Sequence, residues 1–592
     1  MNLNDYDTLT GAWPREDGFA YVSDASGKPQ PWIRTWAGDY RLLPIDGAVL
    51  RLAWRPDGSR LLVQTDLTGT EHYRLAEVDP GTGAVEWLAD TPNVRHEIGV
   101  PYGSASEPYS PDGKLLAFAS NARDSSCFDV YVRDLATGES RLVLEADDRY
   151  LPVCFSPDSR QLLVIKLHQN TEQDLFACDL ESGEVRHLTP HDGPAKYLPG
   201  GWTEDGIYLC TTEGRSFLGA ALLVPGKPVQ WLDTPYADVE SISVGAKIVW
   251  AITEDQRTIL RMLDPETHEV TDLDGLSPGI CAEEFGFDGY VPRFAGDRLL
   301  LQVGNADRPA ELWLVDPATA ETKRLTNCGD RLPQGAVSPE TVWFTSSDGL
   351  EVSGLLYRPP RRTGPVPAVL HIHGGPEARA LPVYDPMIQE LLRRGIAVLA
   401  PNMRGSNGRG IAYQRLIYRD WGGGDLADFG AAATFLRGLD WVDGSRLGVY
   451  GASYGGFAAL SCVSRLPHLW RAGVAVCGPS DLVLDVQSMP PTWRRRAAGW
   501  IGDPGDPADA ARLAARSPLN HAANIRAPLL LVHGVEDTRV SIEGSEQLHD
   551  RLRDLGRTVK LIRVSGGHSP TDRESWADAD ADMLDWFSTH LS

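Results

Sequence analysis

Cysteine and long hydrophobic runs are both scarce in this sequence. Its 592 residues include eight cysteines, with no CxxC pair and no regular spacing. This does not fit a disulfide scaffold or a structural zinc site, so we expect reduced, mostly buried thiols. No apolar run approaches the ~18 residues needed to span a bilayer. The N-terminal stretch MNLNDYDTLTG has neither a basic nor an apolar region, so no secretory signal is predicted.

Positive charge is also in deficit. The sequence has 56 Lys and Arg against 81 Asp and Glu, a formal net charge of −25. This balance argues against nucleic acid or an anionic membrane as the main partner. A hydrophobic fraction of 42% is ordinary for a globular protein and excludes wholesale disorder. We therefore expect a cytoplasmic protein of more than one domain, with neither nucleic acid nor membrane as a partner.

The N-terminal part of the chain repeats one turn. It occurs as RPDG (55–58), SPDG (110–113), SPDS (156–159) and TEDG (203–206), with REDG (15–18) as an earlier relative. Proline presets φ, aspartate bonds its own backbone and glycine takes positive φ, so each motif predicts a β-turn. A short apolar strand follows each of the four. A second turn, beginning with aspartate as in DPGTGAV and DLATGES, recurs in step with the first.

The spacing of these turns predicts a β-propeller. The aspartates at positions 57, 112, 158 and 205 are 55, 46 and 47 residues apart. A period near 45 residues with about four strands per unit is typical of a propeller blade. Fainter copies near residues 244–250 and 294–301 bring the predicted count to seven blades. The alternative, an array of β-sandwiches, does not repeat its turns in phase.

From about residue 336 the pattern changes to alternating strands and helices. The candidate strands are continuous apolar runs, as in parallel strands buried on both faces: 367–373, 396–402, 446–451, 472–478, 528–534 and 559–564. Helical patterns lie between or after them, including 425–439, 541–555 and 572–591. This alternation predicts a doubly wound α/β domain. We place the propeller domain at residues 1–335 and the α/β domain at 336–592.

The sharpest local motif is GASYGG, residues 451–456. It follows the strand RLGVY and precedes the helical stretch FAALSCVSRL. This is GxSxG in the strand–turn–helix context of an α/β-hydrolase, where a sharp turn exposes the serine above the sheet. Ser453 is therefore the candidate nucleophile, and residues 336–592 are predicted to form an α/β-hydrolase catalytic domain.

A serine nucleophile needs a base, and the base needs an orienting carboxylate. In this fold class the chain order is serine, acid, histidine. Asp537 follows the strand PLLLVHG, and His568 follows VKLIRV, so both are expected at the same sheet edge. Glu536 is the competing acid. The other C-terminal histidines are expected to have packing or surface roles: His533, His549 and His590.

Acyl transfer also needs donors for an oxyanion, usually backbone N–H groups. The residue after the nucleophile, Tyr454, is one candidate. The other is Gly375 in the sequence HIHGGP, with Gly374 second. His371 and His373 alternatively suggest a metal site, but no third ligand is evident. We expect no metal and no other cofactor.

Five motifs in this order resemble the prolyl oligopeptidase family of serine peptidases: HGGP, NMRGSNGRG (402–410), GASYGG, HGVEDTRV and GGH. The chain is most similar to the acylaminoacyl-peptidase branch and related bacterial oligopeptidases. The resemblance implies a Ser–Asp–His triad and a propeller that caps the site and admits only short peptides. It also implies that Arg539, two residues past the triad aspartate, holds a substrate carbonyl. The alternative for Arg539 is a surface salt bridge.

The resemblance leaves the substrate open. Dipeptidyl peptidases of the family bind the free N-terminus with a glutamate pair, but Glu283 and Glu284 lack that local context and are interpreted as a solvated turn. Trp493, Trp500 and Val540 are candidates for a proline-selective pocket, with core packing as the alternative. We expect hydrolysis of short peptides that releases N-acylated or N-terminal residues. An esterase or amidase of small molecules is the alternative. Edge strands of either domain could mediate a homo-oligomer.

Overall fold

The computed structural model describes residues 6–100, 106–234, 236–254, 257–273, 279–281, 291–332, 335–360, 364–570 and 574–592. Within these ranges the chain forms seven four-stranded antiparallel sheets, followed by one eight-stranded mixed sheet. The predicted architecture, a seven-bladed propeller before an α/β-hydrolase domain, is confirmed. The glutamate pair Glu283–Glu284 lies outside the described residues.

The blades follow one another along the chain, each built from four successive strands. The first three contain β1 (Leu9–Arg15), β2 (Gly18–Ser23), β3 (Gln30–Thr35), β4 (Tyr40–Leu42), β5 (Ala48–Trp54), β6 (Leu61–Asp66), β7 (Tyr73–Val78), β8 (Val85–Ala89), β9 (His96–Glu97), β10 (Leu115–Ser120), β11 (Asp129–Asp134) and β12 (Ser140–Leu144). The other four contain β13 (Tyr150–Phe155), β14 (Gln161–Gln169), β15 (Glu172–Asp179), β16 (Val185–His187), β17 (Tyr197–Thr203), β18 (Gly206–Thr211), β19 (Gly219–Leu223), β20 (Gln230–Trp231), β21 (Val239–Val244), β22 (Ile248–Glu254), β23 (Arg257–Leu263), β24 (Val270–Asp272), β25 (Arg293–Ala295), β26 (Arg298–Asn305), β27 (Arg308–Asp316) and β28 (Glu321–Arg324).

The two recurring turns have fixed places in a blade. The PDG-type turn joins the first strand to the second, as between β5 and β6, and the aspartate turn joins the third to the fourth, as between β7 and β8. In the latter, Asp79 Oδ1 accepts the N–H groups of Gly81 and Thr82 at 2.8 Å each. The second strands β2, β6 and β18 are buried at every position. Neighbouring blades cover both their faces, which explains the continuous apolar runs.

The ring closes between the last blade and the first. Leu9 and Phe19 of the first blade pack in one core with Leu300 and Leu312 of the last. In addition, Gln302 Nε2 donates to the Leu9 carbonyl oxygen at 2.8 Å. Closure therefore depends on apolar packing and hydrogen bonding between strands at opposite ends of the domain.

The second domain contains β29 (Glu340–Thr345), β30 (Glu351–Tyr357), β31 (Val366–Ile372), β32 (Ala397–Asn402), β33 (Val442–Ala452), β34 (Ala472–Val476), β35 (Leu529–Gly534) and β36 (Val559–Val564). Its described helices are α1 (Pro386–Arg393), α2 (Ile411–Gln414), α3 (Gly424–Arg437), α4 (Tyr454–Arg465), α5 (Leu482–Ser488), α6 (Pro491–Trp500), α7 (Pro507–Arg516), α8 (Ile542–Asp554) and α9 (Ala577–His590). Two 3₁₀ turns cover Arg415–Ile417 and Pro518–Asn524.

The sheet has the order β29-β30-β32-β31-β33-β34-β35-β36. Strands β31 to β36 pair in parallel, whereas β29 and β30 form an antiparallel edge. All six predicted strands are present. The antiparallel pair was not predicted, because β29 is half-exposed and mixes charged with aromatic residues. One apolar core lies under α3, α4 and α8, and another lies under α1 and α9 on the opposite face.

Several expectations can be compared with the described residues. All eight cysteines lie within them, and there all are buried and none forms a disulfide, as predicted. None of the helices described has the length and apolar character needed to cross a membrane. Strand β28 ends at Arg324 and β29 begins at Glu340. The predicted boundary at 335/336 falls between these strands and stays a prediction.

Candidate active site

Ser453 lies at the turn between β33 and α4. Its backbone has φ 58° and ψ −121°, a left-handed conformation that is strained for any residue with a Cβ. Its N–H donates to the Val476 carbonyl oxygen at 2.8 Å, and its own carbonyl accepts the Phe457 N–H at 3.0 Å. This is the strand–turn–helix geometry that GxSxG predicts for a nucleophile elbow, and the role of Ser453 as nucleophile stays a prediction.

Two glycines of this motif are required by close packing against β31. A Cβ on Gly451 would stand 2.7 Å from the Ile372 carbonyl oxygen. A Cβ on Gly455 would collide with the same oxygen. The elbow can therefore lie over the end of the central strand only if both positions lack side chains.

Asp537 and His568 meet at the ends of neighbouring parallel strands. Strand β35 ends at Gly534 and β36 at Val564, and these two end residues are paired in register. His568 Nδ1 is 2.7 Å from Asp537 Oδ2. The sequence-based pairing of these two residues therefore corresponds to a direct contact. Glu536, the competing acid, instead accepts the Gly566 N–H at 2.6 Å.

Asp537 is held as a carboxylate. Its side chain is fully buried, which alone would raise its pKa, but hydrogen bonds with His533 and His568 hold the pKa well below its usual range. Oδ1 also accepts the N–H groups of Arg539 and Val540 at 2.9 and 3.0 Å. Because an ionised carboxylate can only accept, His568 Nδ1 must carry the proton and Nε2 is left as the basic nitrogen.

His533 is buried in the end of β35, as predicted, and also supports the acid. Its Nε2 is 3.0 Å from the Val540 carbonyl oxygen and 3.4 Å from Asp537 Oδ2. Its Nδ1 is 2.8 Å from Ser545 Oγ. A packing or surface role was predicted for His533, and its contact with Asp537 was not predicted. The signal was its place four residues before the acid at a strand end.

The segment after β31 contains the two candidate oxyanion glycines. Gly374 is buried, and its carbonyl oxygen lies 2.7 Å from His373 Nδ1. Gly375 is exposed and has φ 111°, and a Cβ there would lie 2.5 Å from the Glu377 nitrogen. The position therefore requires glycine. Its exposure favours it over Gly374 as a backbone group that a substrate can reach.

Tyr454 turns its side chain away from the elbow. The phenol donates to Asp425 Oδ2 at 2.6 Å, and the ring packs edge-on against Trp421 with centroids 4.9 Å apart. The side chain is almost completely buried. A role for Tyr454 at the reacting centre must therefore come from its backbone N–H, as the sequence predicted.

The histidines of the HxH motif do not share a site. His371 stacks on Tyr450 with ring centroids 4.9 Å apart. His373 is buried, which lowers its pKa to about 4, and its Nε2 lies 2.9 Å from Ser406 Oγ. Each histidine thus has separate partners.

The three candidates for a proline-selective pocket have different surroundings. Trp493 faces the Arg539 guanidinium, which lies 5.3 Å from the ring centroid. Trp500 packs edge-on against Trp421, with centroids 5.1 Å apart. Val540 is buried. Proline preference stays a prediction.

Arg539 contacts the propeller. Its Nε forms an ion pair with Glu71, which lies in the loop between β6 and β7. Both residues line a cavity of about 360 Å³ together with His568. This cavity extends from the candidate base into the propeller, and its walls come from the first three blades, from Arg149 just before β13 and from Arg293 of β25 in the last blade. Arg539 therefore lies at a domain interface and not on the outer surface.

Alternating charges continue from Arg539 along the cavity wall. Glu71 also pairs with Arg95 at 2.9 Å, Arg95 with Glu97 at 2.5 Å, and Glu97 with Arg149 at 2.8 Å. These residues were not predicted, because no sequence motif connects them. Glu71 lies in the β6–β7 loop, Arg95 and Glu97 lie at β9, and Arg149 precedes β13. Burial would raise the pKa of Glu97, but Arg149 and Arg95 lower it to about 2.

The lowered pKa of Glu97 should make the stability of the fold depend on pH. A carboxyl whose pKa falls from 4.5 to about 2 on folding stabilises the fold above pH 4.5, by roughly 3 kcal/mol, and loses this as the pH falls toward 2. Glu97→Gln should lower the melting temperature most at pH 6–8, and the difference from wild type should shrink below pH 4.5. Thermal unfolding between pH 7 and 3 measures this. Glu86→Gln, on the exposed strand β8, is the control. A constant difference across the range contradicts the prediction.

Sequence comparison relates the chain to a family of peptidases. Residues 382–592 match the model of the prolyl oligopeptidase family. The chain is 28% identical over 521 residues to dipeptidyl aminopeptidase BIII of Pseudoxanthomonas mexicana, covering 84% of this chain and 73% of that protein. It is 27% identical over 363 residues to the human acylamino-acid-releasing enzyme, covering 58% and 49% of the two chains.

Among solved structures, a puromycin-hydrolyzing peptidase from Mycobacterium tuberculosis superimposes with a TM-score of 0.84 at 19% identity. The match covers 100% of this chain and 95% of that one. At this level of identity the likeness establishes the fold of both domains.

Proposed function

Because residues 382–592 belong to the prolyl oligopeptidase family of serine peptidases, we propose that this enzyme cleaves short peptides with Ser453, Asp537 and His568 as its triad. One observation carries the assignment. The Asp537–His568 pair, 2.7 Å apart, follows the carboxyl ends of β35 and β36, in the sheet whose strand β33 leads into the Ser453 elbow. Serine, acid and base thus share one edge of one sheet.

In the proposed reaction Ser453 Oγ attacks the scissile carbonyl carbon while His568 Nε2 takes the hydroxyl proton. Asp537 fixes the ring with the proton on Nδ1 and stabilises the imidazolium that forms. His568 then gives the proton to the leaving amine, and the C–N bond breaks. Water, deprotonated by the same Nε2, attacks the acyl-enzyme and releases the acid product and Ser453.

The N–H groups of Tyr454 and Gly375 are proposed to hold the oxyanion. Tyr454 is the first residue of α4, so its N–H has no carbonyl four residues earlier within the helix. Gly375 is exposed beyond the end of β31. Donors fixed before reaction stabilise the developing charge without reorganising, which makes this the largest electrostatic contribution expected.

The substrate would reach the triad through the cavity that links His568 to the propeller. A volume of about 360 Å³ accepts a few residues of extended peptide and no folded domain. Arg539, in that wall, is proposed to bind a backbone carbonyl of the substrate beside its ion pair with Glu71. The propeller would thus select for short, unfolded chains.

Substrate class can be tested with three sets of p-nitroanilides: N-acetyl-aminoacyl, free aminoacyl or dipeptidyl, and blocked peptidyl-prolyl. We propose release of N-acylated or N-terminal residues and expect one of the first two sets to be preferred, since the relatives include both a dipeptidyl aminopeptidase and an acylamino-acid-releasing enzyme. A folded protein offered in the same assay should remain intact. Turnover of p-nitrophenyl esters with no anilide cleavage would contradict the proposal.

A further inference from the structure

The segment that follows the candidate oxyanion glycine is held by the propeller. Residues 374–380, here called the oxyanion loop, run from the end of β31 toward the domain interface. Asn170, at the tip of the β14–β15 hairpin, donates from Nδ2 to Glu377 Oε2 at 2.6 Å. Arg379 pairs with Glu240 of β21 at 2.5 Å. These contacts come from the fourth and sixth blades and reach the loop two and four residues after Gly375.

Glu377 connects the hairpin to the rest of the hydrolase domain. Its Oε1 accepts from Gln414 Nε2 at 2.9 Å and from the Tyr418 hydroxyl at 2.8 Å. Its backbone carbonyl oxygen accepts from Asn407 Nδ2 at 3.0 Å. Burial raises the pKa of Glu377, and these donors oppose that rise. The side chain and backbone of one residue are therefore fixed from both domains.

The hairpin tip is well anchored around this contact. Thr171 is fully buried, and its Oγ1 is 3.0 Å from the Tyr418 hydroxyl and accepts from Arg415 Nη1 at 2.7 Å. Gln169, on the other side of Asn170, donates to the Arg496 carbonyl oxygen of α6 at 3.1 Å. The contacts of Thr171 therefore hold Asn170 against Glu377, whereas Gln169 joins the same hairpin to α6 at a separate point.

We infer that the propeller positions the oxyanion hole: Asn170 and Glu240 are positioning residues that act on the Gly375 N–H through Glu377 and Arg379. This inference rests on the proposed function, in which Gly375 is an oxyanion donor. The turn around Gly375 is tight, since a Cβ there would lie 2.8 Å from the Ala378 nitrogen. Displacement of residues 377–379 must therefore be passed to Gly375. In this arrangement the propeller takes part in catalysis as well as in access.

The consequence is a loss in kcat without a loss in substrate binding. Removal of one oxyanion donor costs about 10²–10³ in kcat, and a misplacement near 1 Å costs up to about 10². Asn170→Ala and Glu240→Gln should each lower kcat about 10-fold on the best p-nitroanilide and leave KM within about twofold. Gln169→Ala is the matched control. It removes the hydrogen bond between the same hairpin and the Arg496 carbonyl oxygen of α6, which crosses the domain interface but does not involve the oxyanion loop. Its kcat should stay within about twofold of wild type.

Hydrogen exchange provides a second readout that does not need turnover. In Asn170→Ala the backbone amides of residues 374–380 should exchange at least several-fold faster than in wild type, and those of the Ser453 elbow should not change. Melting temperatures of all variants check that the fold is intact. The inference is overturned if kcat and exchange match wild type, if only KM rises, or if Gln169→Ala loses as much activity as Asn170→Ala.

Failure of the proposed function would look different. A fluorophosphonate that leaves wild-type Ser453 unlabelled would overturn the triad assignment. If the probe labels wild-type Ser453 and the enzyme is active, but Asn170→Ala has the kcat and hydrogen exchange of wild type, only the positioning role is overturned. If the triad assignment fails, unchanged exchange in residues 374–380 still refutes the propeller's hold on the loop.

Discussion

Replacement of Ser453 by alanine should lower kcat by about 10⁶, with KM little changed. Without Oγ no acyl-enzyme forms, and the size of the loss follows the removal of the equivalent serine in subtilisin. The steady-state rate on the preferred p-nitroanilide measures this, and a fluorophosphonate probe measures the nucleophile directly. The variant should take up no probe.

The control for this experiment is Ser569→Ala. Ser569 directly follows His568 and lines the same cavity as His568. It is therefore the nearby hydroxyl group that would be the nucleophile if Ser453 were not. It should leave kcat within about threefold of wild type and leave labelling intact. Residual activity of Ser453→Ala above a thousandth of wild type would assign the chemistry to a different group.

The second large effect is expected from Asp537→Asn, with a fall in kcat of about 10⁴. An asparagine can donate to His568 Nδ1, which moves the ring proton to Nε2 and removes the base that Ser453 needs. The expected fall in kcat is that seen for the same aspartate-to-asparagine substitution in a serine protease triad. Steady-state kinetics at pH 7–8 measure the effect. An unchanged melting temperature shows that the variant is folded.

Glu536→Gln is the matched control for the acid. Glu536 is adjacent in sequence, but its carboxylate accepts the Gly566 N–H, whereas His568 Nδ1 is hydrogen-bonded to Asp537. We expect its kcat to stay within about threefold of wild type. Equal losses for Glu536→Gln and Asp537→Asn would contradict the assignment of Asp537 as the only orienting acid.

Local signals predicted most of this molecule. The turns beginning at Arg55 and Asp79 repeat because each blade needs the same two chain reversals, and their spacing predicted seven blades. Asp537 and His568 could be chosen because parallel strands place their carboxyl ends at one edge. Each of these features depends on a short segment whose own residues specify its conformation.

Contacts between distant segments could not be predicted in this way. Glu71 and Arg539 are 468 residues apart in sequence, and Asn170 and Glu377 are 207 apart. A carboxylate in a blade loop is equally compatible with a solvated surface, and only the docking of two domains gives it a partner. Hydrophobic periodicity says nothing about such docking, because the interface is largely polar at these points.

The buried thiols make this protein convenient for distance measurements. All eight are inaccessible, and burial raises the pKa of Cys154 and Cys178 to about 12, so neither forms appreciable thiolate at neutral pH. A cysteine introduced on the outer strand of a blade, and another on the exposed face of α8, would therefore react with maleimide dyes in a native background. Fluorescence energy transfer between them would follow the separation of propeller and hydrolase domains during turnover without removal of a single natural residue from either core.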